Sequence, residues 1–152
     1  MKKTHILLID DEVDILNSFS TILTELGFKV DTCKNFDAAV KFLEKTTPDL
    51  VISDLNTNSK INGIEFYMQT VMKTKLPFAL HTGSLDPTSR DMFVQTFLEN
   101  FQIEKAERLV DHPEAVHLTI RDKKTTKSLS RFPCFCKPTL PQTILQYFGF
   151  EV

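Results

Sequence analysis

No stretch of this chain is long and apolar enough to cross a membrane as a helix. The N-terminal Met1-Lys2-Lys3-Thr4-His5 runs straight into a strand-like segment without the apolar core of a secretory signal, and the expectation is a cytoplasmic protein. Cysteine is scarce: three residues, an odd number without zinc-finger spacing, exclude a disulfide framework and a cysteine metal site and read as free thiols. Charge of one sign is also lacking. A net charge of -2 gives no general attraction to nucleic acid or anionic lipid. Repeats and low-complexity tracts are absent. What is present, 152 residues that are 41% hydrophobic and 25% charged, suffices for one domain over 1–152 with its own core.

Two short apolar runs end in carboxylates. Leu50-Val51-Ile52 is followed by Ser53 and Asp54 and bounded by Pro48-Asp49 before and Asn56-Thr57-Asn58-Ser59 after, the signature of a strand buried on both faces. Ile6-Leu7-Leu8-Ile9 is followed by Asp10, Asp11 and Glu12. Between them, Val13 to Leu26 keeps a helical apolar period that Gly27 ends, Phe28–Cys33 alternates as a half-buried edge strand, and Asp37–Lys45 forms a second helix with Ala39, Val40, Phe42 and Leu43 inward. Strands alternating with short helices predict a parallel α/β sheet. Further on, the pattern predicts a third helix over Ile64–Lys75, a strand over Pro77–Thr82, and a helix capped by Asp86-Pro87 with Phe93, Val94, Phe97, Leu98 and Phe101 on one face. A strand over Phe132–Cys136 and a closing helix from about Pro141 to Phe148 complete the chain.

In such sheets the ligand crevice lies outside the carboxyl ends of the strands. Asp10 and Asp11, Asp54, Thr82 and Lys137 all fall there. Clustered carboxylates repel unless a cation sits among them, and a hard ion such as Mg²⁺ takes one or two carboxylates together with phosphate oxygens. A lysine ammonium and a threonine hydroxyl suit phosphoryl oxygens, and an aspartate can itself be the nucleophile. The set points to Mg²⁺ and a phosphoryl group. Caps, turns and a surface salt bridge are the lesser explanation, given the shared sheet edge.

These residues resemble the receiver domain of bacterial two-component response regulators: an acidic pair (Asp10-Asp11), an acceptor (Asp54), Thr82-Gly83 and Lys137-Pro138, in that order. The resemblance implies a flavodoxin-like (CheY-like), doubly wound, five-stranded parallel α/β sheet with strand order 2-1-3-4-5. It implies that Asp54 accepts a phosphoryl group from a histidine kinase or phosphotransfer protein. It further implies Mg²⁺ bound by Asp10, Asp11 and Asp54 and by the backbone carbonyl of Asn56. Thr82, Gly83 and Lys137 would contact the phosphoryl group, the Lys137-Pro138 bond would be cis, and Asn56 and Ser84 would tune phosphoryl lifetime. A protein target would read the state through the face of the fourth helix, fifth strand and fifth helix, the protein being a monomer or a switchable dimer without membrane or nucleic acid partners.

The chain departs from the family in three places. The loop after Asp54 lacks the usual methionine-proline pair and is one residue longer. Cys134 stands where a switch aromatic is expected, with Phe132 or Phe135 as substitutes. Thr82 to Lys137 spans 55 positions, about thirty more than a helix and two short loops require. The excess, about 101–131, is expected to continue as a helix over Ile103–Val110 that His112-Pro113 breaks, then as an extended segment or hairpin from Ala115. Its basic stretch, Arg121, Lys123, Lys124, Lys127 and Arg131, reads as a solvated loop in preference to a docking site. His81 reads as a packed or solvent-facing side chain and not a ligand. The expectation is a stand-alone, non-enzymatic signalling module. Its rivals are a phosphorylation-independent adaptor acting through the insertion and, less favoured, a Mg²⁺-dependent aspartyl-phosphate phosphatase, which would carry Asp-x-Asp at the first strand.

Overall fold

Ile6, Leu7 and Leu50 are fully buried, and the two apolar runs they belong to form adjacent parallel strands. The computed structural model describes residues 3–83, 101–112 and 115–152, with the backbone alone over 101–106. The chain divides into two compact units, Met1–Ala79 with Leu140–Val152, and Leu80–Thr139.

In the first unit β1 (His5–Ile9) lies between β2 (Lys29–Cys33) and β3 (Leu50–Ser53) and runs parallel to both. Every residue of β1 and β3 is buried, as a strand covered on both faces requires, whereas β2 is the partly exposed edge. β4 (Phe78–Thr82) begins in this unit beside β3, where the Val51 N–H donates to the Pro77 carbonyl at 3.0 Å.

Helix α1 (Val13–Glu25) buries Leu16, Phe19 and Leu23, one stripe at spacings of three and four. It stops where the period breaks. Gly27 takes φ +96° and donates to the Thr24 carbonyl while Phe28 N–H donates to that of Leu23, the paired bonds of a Schellman cap. Helix α2 (Phe36–Lys45) starts at Asn35, whose side chain accepts the Ala38 N–H, and buries Phe36 and Ala39. Val40, Phe42 and Leu43, expected inward, are only half-buried. Phe36, which the sequence left outside the helix, stacks on Phe66 with centroids 4.9 Å apart. Helix α3 (Gly63–Phe66) is set by an Asn62–Glu65 capping box, widens to a π turn over Tyr67–Val71 and closes as a 3-10 turn over Met72–Thr74. Helix α4 (Pro141–Tyr147) opens on proline and buries Ile144 and Leu145.

The second unit keeps the expected parallel pairing and adds the insertion to it as further strands. β4 pairs in parallel with β7 (Ser128–Cys136), as the resemblance implies for the fourth strand and the lysine-bearing strand. β7 then pairs antiparallel with β6 (Ala115–Asp122), and β6 antiparallel with β5 (Phe101–Arg108). The described residues thus hold seven strands, with order β4-β7-β6-β5 in this unit, where five parallel strands were expected. The helix expected over Ile103–Val110 is strand β5. Its Glu, Lys, Ala and Arg favour helix locally, but antiparallel pairing along β6, interrupted by a register shift between Ile103 and Lys105, overrides that preference.

β7 starts four residues earlier than expected because β6 supplies it with a partner. Val116, Leu118 and Ile120 are buried at every second position of β6, and Leu118 sits opposite Phe132 and Val116 opposite Cys134. Pro133, which has no N–H to give, falls one residue before the pairing with β4 begins at Cys134. Asp122 Oδ1 accepts the Lys124 and Thr125 N–H groups at 2.7 and 3.0 Å and turns the chain from β6 into β7. The basic stretch therefore runs from the end of β6 through a turn into β7. The helix expected after Asp86-Pro87 lies outside the described residues except at Phe101, which opens β5.

Candidate functional site

The parallel ladders of the first unit set its carboxylates. Asp54 N–H donates to the Ile9 carbonyl at 2.8 Å and Asp10 N–H to that of Cys33 at 3.1 Å, so both acids leave the sheet at the ends of their strands. Both stay buried, with 4% of Asp10 and 7% of Asp54 exposed. Carboxylate oxygens of Asp10, Glu12 and Asp54 lie within 4.8 Å of one another. Glu12 N–H donates to Asp10 Oδ1 at 2.9 Å, which turns the chain so that Glu12 joins Asp10. Leu55 N–H donates to Asp54 Oδ1 at 2.7 Å and fixes the plane of that carboxylate.

Asp11 is exposed and is not among the three clustered acids. The resemblance implied a metal held by Asp10, Asp11, Asp54 and the Asn56 carbonyl; Glu12, exposed like Asp11, is the acid whose oxygen lies with those of Asp10 and Asp54. Asn56 is exposed in the loop after Asp54. That loop, without its usual proline, is closed by other bonds: Gly63 N–H donates to the Leu55 carbonyl at 2.6 Å, and Ser59 Oγ accepts the Phe36 N–H at 3.1 Å. Two buried carboxylates and one exposed one, hard oxygen donors with no soft donor among them, fit Mg²⁺.

The second unit holds the remaining residues. Thr82 is fully buried at the end of β4, and its carbonyl accepts the Lys137 N–H at 3.0 Å. The Lys137-Pro138 bond is cis. A Cβ on Gly83 would stand 3.9 Å from Lys137 Cδ, so the lysine stem lies along this residue. His81 is buried beside Thr82, and its Nε2 accepts the Thr139 N–H at 3.2 Å. Burial, then the Lys137 charge, pushes the His81 imidazole down to about 3. Ser84 lies outside the described residues.

All three cysteines are free thiols, Cys33 and Cys134 buried and Cys136 half-buried. Burial and the charge of Asp31 push the Cys33 thiol up, away from nucleophilic use. Cys134, at the place of the switch aromatic, is 1% exposed and pairs with Leu80, while Phe135 is opposite His81. The sequence reading overlooked two contributors, Glu12 and Thr139. The first carried a signal, an Asp-x-Glu spacing at a strand end; the second carried none.

The profile of the response regulator receiver domain matches residues 6–109. Among curated proteins, the probable transcriptional regulator ycf27 of Cyanidium caldarium is 29% identical over 85 residues, 56% of this chain and 34% of that protein. The chain spans about a third of the length of the curated relatives it matches. The chemotaxis response regulator CheY4 of Vibrio cholerae superposes with a TM-score of 0.61 at 19% identity, covering 97% of this chain and 98% of that one, a likeness of fold. The response regulator TrrA of Thermotoga maritima, solved with Mg²⁺-BeF, matches with a TM-score of 0.50 at 32% identity over 54% of this chain and 70% of its own. In its complex with the histidine kinase ThkA the figures are 0.52, 29%, 60% and 78%. With a flavodoxin-like fold, buried acids at the ends of β1 and β3, and a profile match over more than half its length, the chain belongs to the response regulator receiver domain family.

Proposed function

We propose that the protein is a phosphorylation-switched signalling module in which Asp54 accepts a phosphoryl group from a phosphohistidine on a histidine kinase or phosphotransfer protein. The observation that carries this reading is the buried Asp54 carboxylate, its plane held by Leu55 N–H, within 4.8 Å of two further acids. The existence of TrrA complexes with Mg²⁺-BeF and with a histidine kinase supports the same assignment. An Asp54 oxygen attacks phosphorus, the O–P bond forms as the N–P bond breaks, and the departing imidazole nitrogen keeps the electron pair and takes up a proton. Asp10, Glu12, Asp54 and the Asn56 carbonyl would hold Mg²⁺, with Asp11 as the alternative carboxylate. The ion, when bound, neutralises charge on the phosphoryl oxygens. Lys137 supplies a compensating positive charge, Thr82 a hydroxyl donor beside the small Gly83, and Asn56 and Ser84 set the rate at which water reaches the aspartyl phosphate. The phosphorylated state is read by a protein partner through a changed contact surface.

Intact mass after incubation with acetyl phosphate and Mg²⁺ tests this. The expected result is one phosphoryl adduct that needs the metal and is absent in Asp54→Asn; an adduct persisting in that variant rejects Asp54 as the acceptor. A second reading, an adaptor that signals through the inserted strands without phosphorylation, is favoured by one observation, the small buried Cys134 where an aromatic would report the state of Thr82. Absence of any adduct or beryllofluoride response selects it.

A further inference from the structure

β4 and β7 run in parallel register with Leu80 opposite Cys134, His81 opposite Phe135 and Thr82 opposite Cys136. The ladder gains one more bond, Lys137 N–H to the Thr82 carbonyl at 3.0 Å, and cannot go further because Pro138 has no N–H. The chain beyond the proline is held by side chains. Thr139 N–H donates to His81 Nε2 at 3.2 Å, and Thr139 Oγ1 donates to the Cys136 carbonyl at 2.5 Å. Consecutive residues of β4 therefore grip the turn on both sides of the lysine, Thr82 by its carbonyl and His81 by its ring.

We propose that His81 is a positioning residue for Lys137: its buried imidazole accepts the Thr139 N–H at Nε2 and thereby fixes the Lys137-Pro138 turn from which the lysine reaches. The inference rests on the reading of Lys137 as the phosphoryl-binding cation. Lysine is a flexible four-carbon stem with a point charge, so where its ammonium stands depends on how firmly its backbone is held. Only 2% of His81 and 5% of Thr139 are exposed, so an N–H deprived of its acceptor has no water to turn to. A neutral ring accepting at Nε2 carries its proton on Nδ1. Burial, then the Lys137 charge, opposes the imidazolium, so the acceptor persists across the working pH range.

The test combines nitrogen NMR of the full chain with a beryllofluoride titration in Mg²⁺, comparing wild type with His81→Leu, His81→Gln and Lys137→Ala. The wild-type ring is expected as the Nδ1–H tautomer without titration between about pH 5 and 8. His81→Leu should weaken the beryllofluoride response by about tenfold, the loss of one buried acceptor. His81→Gln, which restores a carbonyl oxygen near the place of Nε2, should stay within about threefold of wild type on the same scale. An Nε2–H tautomer overturns the proposal, as does a glutamine variant as impaired as the leucine one. A wild-type response unchanged in His81→Leu but lost in Lys137→Ala overturns the role of His81 alone. No wild-type response overturns the phosphoacceptor reading, and the role of His81 with it. Where His81→Leu fails to fold, the tautomer and the glutamine variant decide.

Discussion

Replacing Asp54 by asparagine should make the metal-free protein more stable while it destroys the acceptor. The carboxylates of Asp10, Glu12 and Asp54 lie within 4.8 Å of one another, and two unit charges at that separation repel by about 0.9 kcal/mol at the dielectric constant of water and about 3.5 kcal/mol at an effective value of ~20. Asp10 and Asp54 are buried, which places this pair nearer the upper figure. Asparagine keeps an Oδ1 acceptor for Leu55 N–H, so the substitution removes the charge and not the hydrogen bond. A gain of about 1–3 kcal/mol follows, or roughly 2–10 °C in Tm for a chain of this size.

Magnesium should reverse the order. An ion that binds only the folded state stabilises by RT ln(1 + [L]/Kd), about 2.7 kcal/mol at a hundredfold excess over Kd, and the variant, with one carboxylate fewer, should gain less. The assay is urea or thermal unfolding at pH 7 with and without Mg²⁺, read against a monovalent salt control that should move a buried pair little. Asp54→Asn less stable than wild type without metal, or the same magnesium shift in both proteins, would refute the account of the cluster.

The His81 imidazole, pushed down to about 3 by burial and then by Lys137, implies a stability that depends on pH. Below its ordinary value near 6.5 the unfolded chain binds a proton that the folded one refuses, so stability is present in full above that value and is lost as pH falls toward 3, by about 1.4 kcal/mol per unit. The difference in urea midpoint between wild type and His81→Gln should therefore shift against wild type between pH 7 and 5; a constant difference would remove His81 from the explanation. Gly27→Ala meets no atom within 4 Å, so its cost is conformational, about 1–2 kcal/mol for a φ of +96°. Among the described residues, Gly83→Ala meets only the Lys137 stem, at 3.9 and 4.0 Å, and should change the urea midpoint little. Phe36→Ala, at a residue 1% exposed, should cost about 3–5 kcal/mol by chemical denaturation.

Where sequence pattern and burial have one cause, the chain was legible. β1 and β3 read as two-sided strands because nothing in Ile6–Ile9 or Leu50–Ile52 could face water, and both are buried throughout. Gly27 read as a helix stop because the positive φ it adopts is unfavourable to other residues. The acids of β1 and β3 were placed together by the same logic, since parallel strands bring their carboxyl ends to one edge. Which of three consecutive acids turns back was not legible. Glu12 lies with Asp10 and Asp54 where its N–H donates to Asp10 Oδ1, a backbone detail that residue spacing does not encode.

The extended segment expected from Ala115 is β6, but the first part of the insertion failed to read, for a different reason. Gln102 to Arg108 is rich in residues that prefer helix, and helix is what a local reading returns. Their backbone groups pair with one edge of β6, whose other edge pairs with β7 with Leu118 opposite Phe132 and Val116 opposite Cys134. Cys134 therefore serves two strands, facing Leu80 on β4 and Val116 on β6. A bulky aromatic at that buried position would have to fit beneath β6 as well, which gives a packing reason for the small side chain there. An aromatic in place of Cys134 should therefore weaken the β6–β7 pairing, read as a lower urea midpoint than wild type; an unchanged midpoint would refute the packing argument.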